Sequence, residues 1–353
     1  MINGQLQHRI RTAGARARNS RAVPAPLVGA EIFTGTDYPS TWGAFVGQDR
    51  AKAQLKAACY SARREQRRMD HVLLASGVAG IGKTSIAKLI AADLETGIVE
   101  VSGQVTIDDV RPILQGMLDN DVLFIDEIHQ LVSGGKTKAE WLLHLLQDGN
   151  LVTKSGVEVM PRVTIIGATT DAQKLPTTIL GRFPVKPVLD PYTVDEATLI
   201  CHNLAARLGF GKGELPYFDD LAVIAKASNG NPRDMRSLLI ALRDTFYASS
   251  TFDLSMALDW TGVTEDGLNR MCQDYLSTLL VMCEGKAGLA TIGSAMGEPG
   301  PLKHTEQTLI QKGYVLITPS GREMTESGVE RTTRLLKEKG LLDDEPEYGS
   351  RRS

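Results

Sequence analysis

The run Gly77-Val78-Ala79-Gly80-Ile81-Gly82-Lys83-Thr84 fits the pattern G-x-x-x-x-G-K-[ST]. Its glycines let backbone N–H groups curl around a phosphate, and the lysine reaches further phosphate oxygens. The threonine hydroxyl suits a divalent cation, and the helix that opens at Thr84 adds positive potential. Further along, Asp121-Val122-Leu123-Phe124-Ile125 is an apolar run that ends in Asp126-Glu127-Ile128-His129. Carboxylates at the C-terminal end of a buried strand face the ligand crevice of an open α/β sheet. There Asp126 can hold a metal shell and Glu127 can orient and polarise water, because phosphoryl transfer needs positioning and charge neutralisation more than covalent chemistry. The plain alternatives are a glycine-rich turn with an exposed lysine and an acidic strand cap. For His129 a structural role and a functional one stand level.

These groups need strand-to-helix junctions to aim them, and the patterning supplies such junctions. Strand-like runs at residues 71–75, 122–125 and 163–167 alternate with helix-like stretches at 50–67, 84–94 and 139–147. That alternation predicts a parallel sheet covered on both faces. Asp190-Pro191 breaks the pattern, and residues 194–247 read as helices punctuated at 209–213 and 229–232, a small helical domain. From Thr264 a third unit begins. Residues 265–284, 287–296 and 304–312 read as helices, and 314–318 and 323–325 as strands about the turn Pro319-Ser320-Gly321-Arg322. Helices followed by a hairpin suggest a winged helix. The implied division is an Arg-rich arm at 1–30, an α/β domain at 31–189, a helical domain at 190–256, the winged helix at 257–340 and a polar tail at 341–353.

The chain has 353 residues, 42% of them hydrophobic, which suffices for two or three cores. Thirty-nine Lys and Arg against 42 Asp and Glu leave a net charge of -3, so any contact with nucleic acid is local and not a general basic coat. No apolar run approaches the roughly 18 residues of a membrane helix. Arg9, Arg11, Arg16, Arg18 and Arg21 precede the first acid, Glu31, but no apolar block follows them, so a secretory signal is not expected and the cytoplasm is the default location. Cys59, Cys201, Cys272 and Cys283 are scattered, which suggests neither a zinc site nor a disulfide framework.

Several further segments stand in a telling order: Tyr38-Pro39 and Phe45-Val46-Gly47-Gln48 ahead of the phosphate loop, then Gly167-Ala168-Thr169-Thr170, Gly181-Arg182-Phe183 and Gly230-Asn231-Pro232-Arg233 behind it. With Gly288-Leu289-Ala290-Thr291-Ile292, Leu309-Ile310-Gln311-Lys312-Gly313-Tyr314 and Thr318-Pro319-Ser320-Gly321-Arg322, the chain from about Tyr38 to Thr325 resembles the RuvB family, the bacterial Holliday-junction branch-migration motors of the AAA+ class. The resemblance implies an AAA+ P-loop domain, a helical lid and a C-terminal winged helix. It also implies ATP and Mg²⁺ as cofactors, duplex or four-way-junction DNA as substrate, and a hexameric ring.

Residue by residue, the resemblance implies an adenine pocket at Tyr38, Pro39, Val46 and Gly47. Phosphate binding falls to Gly77, Gly80, Ile81, Gly82, Lys83, Thr84 and Ser85, and the metal to Thr84 and Asp126. Lys83, Glu127 and Arg182 are the implied catalytic groups, Arg182 as an arginine finger offered to the neighbouring subunit. Thr170 matches sensor 1, with Thr169 as its substitute, and Arg233 matches sensor 2. Lys303, His304, Lys312 and Arg322 are the implied DNA contacts in the winged helix. They would be sequence-independent and salt-sensitive, the alternative being a winged helix used for protein contacts.

The chain departs from the family in places. Val78 and Ala79 stand where the family has two prolines, Tyr38 where it has Arg, and Ser320 where the wing has Arg. Residues 142–161 are shorter than the segment that carries the family's RuvA-docking hairpin. A hairpin over 150–159 with Lys154-Ser155-Gly156 at its turn is expected, with no apolar anchor at its tip, so docking of a RuvA-like partner is not expected from the sequence. The nucleotide residues equally suit a loader or initiator ATPase that remodels a protein on DNA, or a nucleotide-controlled DNA-binding switch.

Overall fold

The computed structural model describes residues 38–132, 136–153, 156–208, 210, 216–297 and 302–342, with the side chains of 136–139, 303 and 304 left aside. The Arg-rich arm, Lys154 and Ser155 of the expected turn, and residues 343–353 of the expected tail lie outside the described residues. The chain separates into two compact units, the first ending at Leu239 and the second beginning at Ile240.

In the first unit, helix α1 (Asp49–Arg64) precedes strand β1 (Val72–Ala75), and the phosphate loop joins β1 to α2 (Lys83–Leu94). Next come β2 (Ile98–Ser102), α3 (Ile107–Gly116), β3 (Val122–Asp126), α4 (Lys136–Asp148), the hairpin β4 (Asn150–Thr153) and β5 (Gly156–Val159), β6 (Thr164–Thr169) and the short α5 (Thr177–Leu180). The unit continues through α6 (Val194–Leu208), α7 (Phe218–Ala227) and the start of α8 (Pro232–Ser249). The sheet runs in the order β1-β6-β3-β2 with every pairing parallel, and Val185 adds a single parallel bridge outside β1.

Strand alternation divides the core into two layers. Leu73, Leu123, Ile125 and Ile165 face one way, onto α3 and α4 through Val110, Leu114, Trp141, Leu142 and Leu145. Val72, Leu74, Val122, Phe124 and Ile166 face the other way, onto α1 and α2 through Leu55, Cys59, Ile86 and Ile90. The expected doubly covered parallel sheet is what forms. Strand β2 and helix α3 were not read from the sequence, although Thr106 and Asp109 form a capping box at the start of α3.

The second unit carries α9 (Leu254–Thr261), α10 (Arg270–Val281), β7 (Lys286–Ala287), α11 (Leu289–Ala295), α12 (Lys303–Gln311), β8 (Val315–Thr318), β9 (Gly321–Met324) and α13 (Glu326–Glu338). β8 and β9 form the expected wing, with β7 as a third antiparallel strand on β9. Helix α13 was not anticipated. Thr325 caps it, accepting from the Gly328 N–H, and Leu335 and Leu336 bury its apolar face. Gly328 must be a glycine because a Cβ there would meet the Tyr314 carbonyl oxygen at 2.2 Å.

Candidate functional site

A cavity of about 490 Å³ opens at the C-terminal ends of β1, β3 and β6. Around it stand Gly80, Gly82, Lys83, Thr84 and Ser85 from the phosphate loop and α2, together with Asp126, Glu127, Thr170 and Arg233. Tyr38, Pro39 and Val46 line it as expected from the sequence, and Lys88 lies over the Tyr38 ring, 3.5 Å from its centroid. Most of the candidate nucleotide residues, spread from Tyr38 to Arg233, therefore meet in one place.

Two glycines show why the loop is built as it is. Gly80 has φ +77°, and a Cβ there would lie 2.0 Å from Asn231 Oδ1, so the loop passes against the residue that precedes α8. Asn231 Oδ1 also accepts the Arg233 N–H at 3.0 Å, which ties the start of that helix to the same corner. Gly82 has φ +96°, and a Cβ there would press on the Phe45 ring at 2.9 Å.

Lys83 is only 7% exposed. Burial lowers its pKa, Glu127 and Asp126 work to raise it, and Arg233 lowers it further. Burial likewise raises the Asp126 pKa, while the Glu127 N–H, which donates to Asp126 Oδ1 at 3.0 Å, works to lower it. Glu127 has φ 47° and ψ 49°, a left-handed conformation uncommon for a residue with a side chain. Its carboxylate accepts from Thr170 N–H at 3.1 Å and from Thr170 Oγ1 at 3.0 Å, and stands 3.1 Å from His129 Nδ1. His129 Nδ1 also meets Thr169 Oγ1 at 3.0 Å. Thr169 is fully buried, so Thr170 and not Thr169 presents a hydroxyl to the cavity.

Three expectations are altered. The Ile81 side chain is 2% exposed and belongs to the core on α2, so only its backbone serves the loop, its carbonyl accepting from Tyr192 Oη at 2.9 Å. Gly47 does not line the cavity. A Cβ there would meet Glu196 Oε1 at 2.7 Å, and its role is to let the loop approach α6. Gly77 stands apart from the cavity, with nothing within 4 Å of where its Cβ would lie. Arg182, expected to act on a neighbouring copy, is exposed and does not line its own chain's cavity; its Nη2 donates to Gln147 Oε1 at 2.7 Å.

Sequence reasoning missed Tyr192, Ile200, Asn203, Leu204, Arg207 and Arg236, which also line the cavity. Tyr192 alone had a local signal, directly after the Asp190-Pro191 break. Asp190 is fixed by Gln48, whose amide donates to the Asp190 carbonyl at 2.6 Å and accepts its N–H at 3.1 Å.

In the second unit the expected DNA contacts are differently disposed. Lys312 Nζ donates to the Asp266 carbonyl, and Arg322 forms a two-pronged pair with Glu306, which raises the Arg322 pKa. Both cations are engaged within the unit. The side chains of Lys303 and His304 lie outside the described residues. The expected hairpin of the first unit forms, while the tip where no apolar anchor is expected includes Lys154 and Ser155, outside the described residues. Val152 and Val157 face each other across the hairpin, and with Val159 they are 42%, 65% and 84% exposed, so the hairpin carries an apolar face. Its other face is anchored by buried Leu151 and by Glu158, which pairs with Arg111 of α3 at 2.6 Å.

Among the described residues no helix is long and apolar enough to cross a membrane, and no group of three His, Cys, Asp or Glu side chains converges to hold a metal. Comparison with known families matches residues 38–189 to the Holliday junction DNA helicase RuvB P-loop domain and residues 265–332 to the RuvB C-terminal winged helix domain. The chain is 34% identical over 322 residues to the Holliday junction branch migration complex subunit RuvB of Helicobacter pylori, covering 85% of this chain and 90% of the relative. To the protein of the same name from Thermobifida fusca it is 33% identical over 307 residues, covering 81% and 85%. The solved structure of the Thermotoga maritima RuvB Holliday junction branch migration motor superposes with a TM-score of 0.71 at 29% identity, over 84% of this chain and 97% of that one.

Proposed function

The chain belongs to the RuvB family, and from that membership we propose that it is an ATPase that assembles on duplex DNA and drives branch migration of four-way junctions in recombination and repair. The observation that carries this reading is the convergence of Lys83, Thr84, Asp126, Glu127, Thr170 and Arg233 on one cavity. Backbone N–H groups of the loop and Lys83 hold the phosphates of ATP. Lys83 neutralises charge as the terminal phosphoryl group departs, and Tyr38, Pro39 and Val46 receive the adenine. Glu127 orients the attacking water, with Thr170 holding its carboxylate through two donors. Arg233 offers its cation from the helical side of the same cavity.

One hydroxyl and one carboxylate, from Thr84 and Asp126, fit Mg²⁺, a small cation that keeps several waters and takes phosphate oxygens as ligands. Held there by Thr84 and Asp126, it would offset the negative charge of the nucleotide phosphates.

Arg182 is the finger for a neighbouring copy, which makes a ring, most simply a hexamer, the active form acting in the cytoplasm. The division into an α/β domain at 31–189, a lid at 190–256 and a winged helix at 257–340 belongs to this reading. Rotation of the lid between nucleotide states moves the DNA held by the winged helix, whose Lys303 and His304 are the proposed phosphate contacts. The valine face of the hairpin supports docking of a protein partner of the RuvA kind.

The test is conversion of a synthetic four-way junction to duplex products by purified protein. Migration that requires ATP and disappears in Lys83→Ala is the expected result. Junction binding with ATP turnover but no migration would overturn the motor reading in favour of a loader.

A further inference from the structure

Arg182 is placed by its surroundings with more care than an exposed cation needs. Its own N–H donates to the Ile179 carbonyl at 3.0 Å, closing the turn after α5. Phe183, the next residue, is 1% exposed and sets its ring edge against the buried His71 ring, with centroids 6.4 Å apart. Gln147, which accepts from the guanidinium, lies in the last turn of α4, and its neighbour Leu146 offers its carbonyl to His71 Nε2 at 3.2 Å. The two partners of the Arg182–Gln147 hydrogen bond thus sit on residues adjoining a single buried imidazole. That imidazole is itself fixed to the sheet, its Nδ1 accepting the Ile165 N–H at 2.9 Å.

The choice of acceptor matters. Arg111, Arg322 and Arg331 each pair with a carboxylate in this chain, which offsets their charge. Arg182 instead meets a neutral amide oxygen. A guanidinium has five N–H donors in a rigid plane, so one bond to an amide sets its direction and leaves the positive charge and the remaining donors for another ligand.

We propose that Gln147 is a positioning residue that presents the Arg182 guanidinium to the nucleotide phosphates of the adjoining copy, with His71 as the fixed base beneath both. This rests on the reading of Arg182 as a finger acting in trans. Gln147 touches no substrate and acts only through Arg182. The energy of one exposed hydrogen bond is small, but an aimed group loses rate steeply when its geometry loosens.

The experiment is subunit mixing, with ATP turnover as the readout. Arg182→Ala protein keeps its cradle and lacks a finger, whereas Lys83→Ala protein keeps its finger and lacks a working cradle. Turnover restored on mixing comes from the cradle of the first and the finger of the second, and absence of any restoration refutes the finger itself. With restoration established, Gln147→Leu is added to one partner at a time. Placed in the Lys83→Ala partner it lowers the restored rate about tenfold, and placed in the Arg182→Ala partner it leaves that rate unchanged. Gln147→Glu keeps an acceptor oxygen but brings a carboxylate that offsets the finger's charge, so in the Lys83→Ala partner it also lowers the restored rate, by at least about threefold. Equal loss with Gln147→Leu in either partner would mean a general structural role, and no loss in the finger-donating partner would mean no role. Either outcome overturns the proposal while leaving the finger standing. Unchanged melting temperatures and unchanged KM for ATP accompany the expected result.

Discussion

His71 makes the first unit acid-sensitive by an amount that can be worked out in advance. The imidazole is 4% exposed, and burial, reinforced by the Arg68 charge, pushes its pKa down from 6.5 to about 3. Arg68 Nη1 stands 2.9 Å from both ring nitrogens, and the bonds to Ile165 and Leu146 require the neutral ring, with Nδ1 accepting from Ile165 and Nε2 donating to the Leu146 carbonyl. The unfolded chain takes up a proton on this residue as pH falls below 6.5, whereas the folded chain does so only near 3. Protons therefore favour unfolding throughout that window, and the stability present above 6.5 is lost as pH falls. At about 1.4 kcal/mol per unit of pKa difference, the loss from His71 is roughly 1.4 kcal/mol at pH 5.5 and approaches about 5 kcal/mol near pH 3. Urea unfolding at pH 7.5 and 5.5, followed by fluorescence of the buried Trp141 in the same unit, measures it. Wild type should lose about 1.4 kcal/mol more across that step than His71→Gln, whose amide takes up no proton. Nuclear magnetic resonance of the His71 ring should show no titration down to about pH 4. A ring that titrates near 6.5, or identical pH slopes for the two proteins, would refute the reasoning.

Further outcomes follow from other parts of the molecule. Glu127→Gln should bind a fluorescent ATP analogue as wild type does and turn over at least about a hundredfold more slowly, and full turnover would remove Glu127 from the water-orienting role. Gly80→Ala puts a methyl group against Asn231 in a left-handed conformation that costs about 1–2 kcal/mol, so analogue binding should weaken roughly tenfold, as read by fluorescence titration. Arg322→Ala should leave duplex affinity within about threefold of wild type by anisotropy, because Glu306 already holds that cation, and a larger loss would restore it as a DNA contact.

The pair between Arg331 and Asp266 gives a fourth outcome. Burial works to raise the Asp266 pKa, but hydrogen bonds from Arg331, Thr264 and Tyr314 hold it well below the usual carboxylate range. The stability this contributes is present above about pH 4 and is lost as pH falls through the lowered value. Arg331→Met should destabilise the second unit by about 2 kcal/mol and flatten its acid limb in calorimetry, and an unchanged limb would contradict the assignment.

The phosphate loop and the acidic box could be read from sequence because each is a contiguous run whose chemistry depends on its own backbone turn. Strands β1, β3 and β6 could be read for a similar reason, since strands buried on both faces are near-continuous apolar runs. Helix α13 escaped notice because its polar face dominates its composition and its buried Leu335 and Leu336 gain meaning only once the helix packs on α10. The cavity-lining residues of α6 escaped notice because ordinary Ile200, Asn203 and Leu204 carry no local signal of what faces them.

The sequence by itself thus determined that a triphosphate cradle, an acid pair and a winged helix are present, since local spacing specifies each. Only tertiary structure decided where the cations go. Lys312 and Arg322 are held within their own unit, whereas Arg182 is turned outward on a neutral amide. Only tertiary structure, too, set His71 against Leu146, the neighbour of that glutamine, and against Ile165, which lie 75 and 94 positions along the chain. The physical reason is that an electrostatic partner is chosen by distance in space, and separation along the chain carries almost no information about it.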